Sequence, residues 1–133
     1  MSLSFPIRVF LCDDVPEFRG LMRLILEEDP GFMVVGEAGD GVSAVEGIRH
    51  ARPDVVLLDL SMPGFDGLEV IQRIKALDLE CCIVVLSGFS GRRMGKLARE
   101  AGVVDYVEKG AGFDEIRAAA RRAGELSRRG VCS

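Results

Sequence analysis

The sequence predicts an α/β fold: a doubly wound, five-stranded parallel sheet with helices on both faces. Three observations carry that expectation. Short apolar runs alternate five times with stretches whose apolar residues recur at intervals of three and four. The run Val55-Val56-Leu57-Leu58 shows no polar alternation, as a strand buried on both faces requires. The 133 residues suit one ordinary domain that can bury most of its apolar surface. A strict strand–helix alternation at this length means parallel strands joined by crossover helices.

The first strand is read at Ile7–Cys12 and closes on Asp13-Asp14. The first helix opens after Asp14 with Pro16 near its first turn, where a missing N–H costs little. Phe18, Leu21, Met22 and Ile25 form its inward stripe, and it stops near Glu28, before Pro30-Gly31. The second strand spans Met33–Ala38, and the second helix runs from about Val42 to Ala51 with Val45 and Ile48 inward. The third strand, Val55–Asp59, meets a turn-rich loop, and the helix Gly67–Leu77 presents Val70, Ile71 and Ile74 to the sheet. A fourth strand is read at Ile83–Ser87. The helix after it, Gly91–Ala101, carries glycine and few large apolar residues, so it should be the least stable of the set. The fifth strand is read at Val103–Val107. The last helix, Phe113 to about Arg128, turns Phe113, Ile116 and Ala120 inward and a basic face outward. Residues 1–133 therefore read as one domain, with 127–133 a tail or the start of a linker.

Composition narrows the function classes. Seventeen basic residues against 21 acidic give a net charge of −4, so the balance predicts no nucleic acid bound by this domain itself. No apolar stretch is long enough for a bilayer and the start lacks a signal-peptide pattern, so the expectation is a cytoplasmic protein without membrane contact. Cys12, Cys81, Cys82 and Cys132 lack metal-ligand spacing and are expected to be buried free thiols.

Chemistry concentrates at strand ends. Asp59 terminates a buried run, and Asp13 and Asp14 hold the same station after the first strand. In open α/β sheets the carboxyl edge is where sites are built, and the flavodoxin-like order 2-1-3-4-5 is the simplest that unites these three acids. Two unit charges 4 Å apart repel by about 4 kcal/mol at an effective dielectric near 20. Three ionised aspartates therefore raise one another's pKa or hold a hard cation, and an all-oxygen set suits Mg²⁺. Ser87 ends the fourth strand, Gly88 leaves space beside it, and Lys109 follows the fifth. A carboxylate nucleophile, a metal, a hydroxyl and an ammonium are the parts needed to accept a phosphoryl group. Singly each has an ordinary alternative: Asp14 as a helix cap, Ser87 as a turn residue, Lys109 as solvated surface, Tyr106 as sheet packing.

Four stretches carry a resemblance. Cys12-Asp13-Asp14, the segment 54–67 from Asp54-Val55 through Asp59 and Pro63-Gly64 to Asp66-Gly67, Val84-Val85-Leu86-Ser87-Gly88 and Tyr106-Val107-Glu108-Lys109 resemble the receiver domain of bacterial two-component response regulators. The resemblance covers nearly the whole chain and implies a CheY-like fold. It implies that Asp59 is the phosphoacceptor for a sensor histidine kinase. Asp14, Asp59 and the Ser61 backbone carbonyl would bind Mg²⁺, with Asp13 acting largely through water. Ser87, Gly88 and Lys109 would contact the phosphoryl group, and Ser87 and Tyr106 would form the switch. The segment Val34–Gly41 resembles receivers of the NarL/LuxR type, which implies a transcriptional output from a DNA-binding domain absent from this chain; the alternative is a stand-alone phosphorelay or chemotaxis-type receiver. A phosphorylation-dependent homodimer would use the face near the last two helices, where Arg117, Arg121 and Arg122 lie. Many receivers place proline after the lysine; here Gly110 follows Lys109, and a trans bond is expected. A metal-dependent phosphatase with an aspartyl nucleophile would want Asp-x-Asp after its first strand, which neither Asp13-Asp14-Val15 nor Asp59-Leu60-Ser61 supplies. A receiver-like interaction module that is not phosphorylated is disfavoured by the intact set of Asp13, Asp14, Asp59, Ser87 and Lys109.

Overall fold

Five strands, β1 (Ile7–Cys12), β2 (Phe32–Ala38), β3 (Val55–Asp59), β4 (Cys82–Ser87) and β5 (Asp105–Glu108), form one parallel sheet in the order β2-β1-β3-β4-β5. The computed structural model describes residues 5–60, 62, 66–88 and 92–132. Helices α1 (Pro16–Glu27), α2 (Gly41–Ala51), α3 (Gly67–Ala76), α4 (Arg92–Glu100) and α5 (Phe113–Arg128) connect and cover the strands. The predicted fold class and strand order are the observed ones.

Side-chain alternation along the strands splits the core into two layers. Val9, Leu11, Leu57 and Val84 face one way and pack with Met22 and Leu26 of α1 and Ile116 and Ala120 of α5. Phe10, Val56, Leu58 and Val85 face the other way, against Ile48 of α2 and Val70, Ile71 and Ile74 of α3. β3 and β4 are apolar and buried almost throughout because helices cover both their faces. Each such Val, Leu or Ile contributes about 1.5–3 kcal/mol of burial, so the centre of the sheet holds the site's platform rigid.

Local chemistry sets the helix starts. Asp40 Oδ1 accepts from Ser43 N at 2.8 Å and caps α2, and Asp66 Oδ1 accepts from Glu69 N at 3.0 Å and caps α3. α1 differs: its N-cap is Val15, with no side-chain cap, and Pro16 opens the helix. Two glycines make room for one ring. A Cβ at Gly36 or Gly47 would stand 2.4 or 2.6 Å from the Phe10 ring.

Some expectations are corrected. Leu21 is exposed, and Leu26 takes the buried place in the α1 stripe. β5 begins at Asp105 rather than Val103, because Val103 N donates back to Ala98 O and closes α4. Cys82 and Cys132, expected as free thiols, are paired as a disulfide with Cα atoms 5.1 Å apart; Cys12 and Cys81 are free and buried. The cause is tertiary. Val131 N donates to Leu126 O and Lys75 Nζ to Cys132 O, which folds the end of the chain under the start of β4. The described residues contain no cis peptide bond, so the Lys109–Gly110 bond is trans. No described helix is long and apolar enough to cross a membrane.

Candidate functional site

The carboxyl edge of β1 and β3 gathers the three acids. Carboxylate oxygens of Asp13, Asp14 and Asp59 lie within 4.8 Å of one another. Asp13 and Asp59 are buried and Asp14 is exposed, so the cluster opens to solvent through Asp14. Asp14 does not cap α1; it is Asp13 Oδ1 that accepts from Val15 N, at 2.8 Å.

Lys109 is the cation between the buried pair. It opens a 3₁₀ turn after β5, Lys109–Ala111. Its Nζ lies 2.6 Å from Asp13 Oδ2 and donates to Asp59 Oδ2 at 3.2 Å. Burial opposes the ammonium charge, but contact with Asp13 and the field of Asp59 outweigh it, so the lysine pKa is raised. The Phe18 ring lies under the ammonium, 4.6 Å from Nζ to the ring centroid, and stacks on Phe113 at 5.9 Å. Phe18, expected only as core, therefore also shapes the site. Its helical spacing pointed to packing alone, and nothing in it signalled a cation partner.

The acids fit a hard cation. Asp13 Oδ2 is buried and receives no hydrogen bond of proper geometry among the described residues, although Lys109 neutralises it. An oxygen-only cluster suits a hard cation rather than Zn²⁺ or copper. Ser61, expected to add a backbone carbonyl, lies outside the described residues, as do 63–65 of the loop after β3 and 89–91 before α4.

The remaining predicted residues lie on or just after β4, β5 and α5. Ser87 ends β4, hydrogen-bonded in the ladder opposite Glu108, and Gly88 follows it in the open. No described atom stands within 4 Å of where a Cβ at Gly88 would be. Tyr106 faces the α4 side of the sheet, partly buried in the same layer as Val85 and Ala98. The outer arginines of α5 are engaged within the chain: Arg117 with Asp114, Arg121 with Asp29 and Arg122 with Asp105. Cys12, beside Asp13, has its thiol pKa raised by burial and by that carboxylate, so it is not a nucleophile here.

Sequence reasoning missed Arg19 and Glu37. Arg19 Nη1 donates to the Asp13 carbonyl at 2.6 Å, and Arg19 Nε pairs with Glu37 Oε1 at 3.0 Å. An arginine in the first turns of α1, among apolar neighbours, was the only available hint.

An acidic crevice between β1 and β3 with a bridging lysine, on a 2-1-3-4-5 sheet, defines a class of doubly wound proteins with their site at the topological switch point. A family profile described as the response regulator receiver domain matches residues 9–121, and the chain belongs to that family. The signal receiver domain of the response regulator NarL from Mycobacterium tuberculosis superposes with a TM-score of 0.87 at 31% identity, covering 92% of this chain and 98% of that one. The response regulator UvrY of Escherichia coli is 38% identical over 115 residues, 86% of this chain and 53% of UvrY. A protein-glutamate methylesterase/protein-glutamine glutaminase of Rhizobium etli is 36% identical over 135 residues, 94% of this chain and 39% of that protein. The chain thus spans about half, or less, of these curated relatives.

Proposed function

We propose that this receiver domain accepts a phosphoryl group on Asp59 from a sensor histidine kinase, in a Mg²⁺-dependent reaction, and switches an output. The observation that carries the reading is Lys109 lodged between Asp13 and Asp59 at the crevice floor. One ammonium among three carboxylates leaves two of them unbalanced, the charge a divalent cation would neutralise. Asp14 and Asp59 would hold Mg²⁺ directly with the Ser61 carbonyl, and Asp13 largely through water. When bound, the cation supplies charge neutralisation for the incoming phosphoryl oxygens.

The chain's own residues do the rest. An Asp59 carboxylate oxygen attacks phosphorus, forming the P–O bond of an acyl phosphate as the P–N bond to the donor imidazole breaks. The leaving imidazole takes up a proton. Lys109 can follow the transferred charge from the carboxylate to a phosphoryl oxygen, and the Ser87 hydroxyl and the space at Gly88 receive another. The role is signalling; the domain assists its own phosphorylation and slow hydrolysis but turns over no external substrate.

A transcriptional output is supported by the likeness to a Pseudomonas aeruginosa protein named as a transcriptional regulator, 37% identical over 114 residues, and the DNA-binding segment would lie outside this chain. Residues 127–132, expected as a tail or the start of a linker, instead belong to the fold: Ser127 is buried in α5 and Cys132 is buried under β4. The methylesterase relative, of which this chain covers 39%, fits the alternative of a stand-alone phosphorelay or chemotaxis-type receiver less well. A phosphorylation-dependent homodimer would have to re-pair the α5 arginines now held in the chain.

Intact-mass analysis with acetyl phosphate and Mg²⁺ tests the core of the reading. The parent should gain one phosphoryl group and Asp59→Asn none. An Asp59→Asn protein labelled as fast as the parent would sink the assignment.

A further inference from the structure

We propose that Arg19, oriented by Glu37, is a positioning residue for the acid cluster: it clamps the Asp13 carbonyl and so sets the turn that presents Asp13 and Asp14 to a divalent cation. The inference rests on the metal-site reading above. Its starting point is a deficiency in α1. That helix begins without a side-chain cap, so no local hydrogen bond from an N-cap side chain ties its first turn to the strand end.

Arg19 supplies the tie from the other direction. It reaches back from α1 and donates Nη1 to Asp13 O at 2.6 Å. The Asp13 amide is fixed independently, donating to Ala38 O at 3.0 Å. Both polar groups of the Asp13 backbone are therefore anchored, one to β2 and one to Arg19. Only with that backbone held can Asp13 Oδ1 accept from Val15 N while Oδ2 faces Lys109.

Glu37 sets the guanidinium's plane. It lies on β2 opposite Leu11 and takes Arg19 Nε on Oε1 and Arg23 Nη1 on Oε2. Arg19 and Glu37 are only a fifth to a quarter exposed, which favours one fixed geometry over a loose surface pair. Space has been left for it: a Cβ at Gly39 would stand 3.1 Å from Arg19 Nη1 and 3.7 Å from Asp13 O. Arg23 shares the same Glu37 but makes no described contact with the acid cluster, so it serves as the internal control.

Two measurements test this without relying on activity: Mg²⁺ affinity by amide-shift titration, and hydrogen exchange of the Val15 amide in metal-free protein. Outer-shell groups of metal sites typically change affinity by about 10- to 100-fold. Arg19→Ala should weaken Mg²⁺ binding about tenfold and speed Val15 exchange, and Arg19→Lys should recover part of both. Arg23→Ala should leave both within about twofold of the parent, well short of that range. Should Arg19→Ala fail to fold, Gly39→Ala crowds the same guanidinium and should give a smaller loss in the same direction. Parent-like Mg²⁺ affinity in Arg19→Ala, or in Gly39→Ala where that variant stands in, overturns the inference alone. So does an equal loss in Arg23→Ala, which would mean general loosening. A parent that binds no Mg²⁺ overturns the metal-site reading, and this inference with it.

Discussion

The ring of Tyr106 on β5 rests against Gly95 of α4: a Cβ at position 95 would stand 3.4 Å from the ring. The glycine that weakens α4 is thus also the surface on which the aromatic sits. A phosphoryl group on Asp59 that draws in the Ser87 hydroxyl would move the end of β4, next to both. The coupling would then be a population shift between two packings of Tyr106 against α4. Fluorine NMR of a fluorotyrosine at 106 should show a second ring environment with beryllofluoride and Mg²⁺. Gly95→Ala should reduce that change, since it strengthens α4 by about 1 kcal/mol and adds contact with the ring. An unchanged ring signal while the Asp59 pocket fills would remove this route.

Lys109 should matter most when no metal is present. Lys109→Met leaves Asp13 and Asp59 facing one another without a counter-charge and should cost on the order of 2 kcal/mol. Mg²⁺ should then stabilise the variant more than the parent, because it replaces the lost cation. Thermal unfolding with and without Mg²⁺ measures both effects. The pH dependence has a definite sign. The lysine's folded pKa lies above its usual 10.5, so its contribution is complete below the unfolded value and is lost as pH rises through the folded one. The stability gap between parent and Lys109→Met should therefore be flat from neutrality up to the lysine's unfolded pKa and shrink in alkali. A gap that closes near pH 7 would mean the pairing is misassigned.

Gly47→Ala should destabilise, although it lies inside a helix. Helix propensity alone would favour alanine by up to about 1 kcal/mol. Against that, a Cβ at 47 would stand 2.6 Å from the rigid Phe10 ring, and overpacking of this kind costs about 1–3 kcal/mol. The steric term wins, for a net loss of about 1–2 kcal/mol. Urea unfolding of Gly47→Ala, Phe10→Leu and the double variant should show favourable coupling between the two changes. Simple additivity would contradict the contact.

The pairing of Cys82 with Cys132 predicts a redox-dependent stability. Closing a 50-residue separation should add about 2–4 kcal/mol under oxidising conditions. Reductant should lower the urea midpoint of the parent and leave Cys132→Ser unaffected. Thiol counting in denaturant should find two free cysteines before reduction and four after, the constant pair being Cys12 and Cys81. Four free thiols after air oxidation would restore the expectation drawn from the sequence.

Much of this protein was determined by sequence acting locally. Short apolar runs such as 55–58, closed by turn signals, read as doubly buried strands, so the alternation of strands and helices, and the strand ends bearing Asp13, Asp59 and Ser87, follow from hydrophobic period and turn chemistry. Tertiary structure alone decided which groups meet. Lys109 reaches Asp13 across 96 positions of chain, Phe18 slides under the same ammonium, Arg19 clamps a carbonyl six residues back with Glu37 from another strand, and Cys132 folds beneath β4. The physical reason is one of range. Secondary structure reports each residue's preference for water or core along a single element, whereas ion pairs, cation–π contacts and disulfides depend on distances that exist only once separate elements are packed.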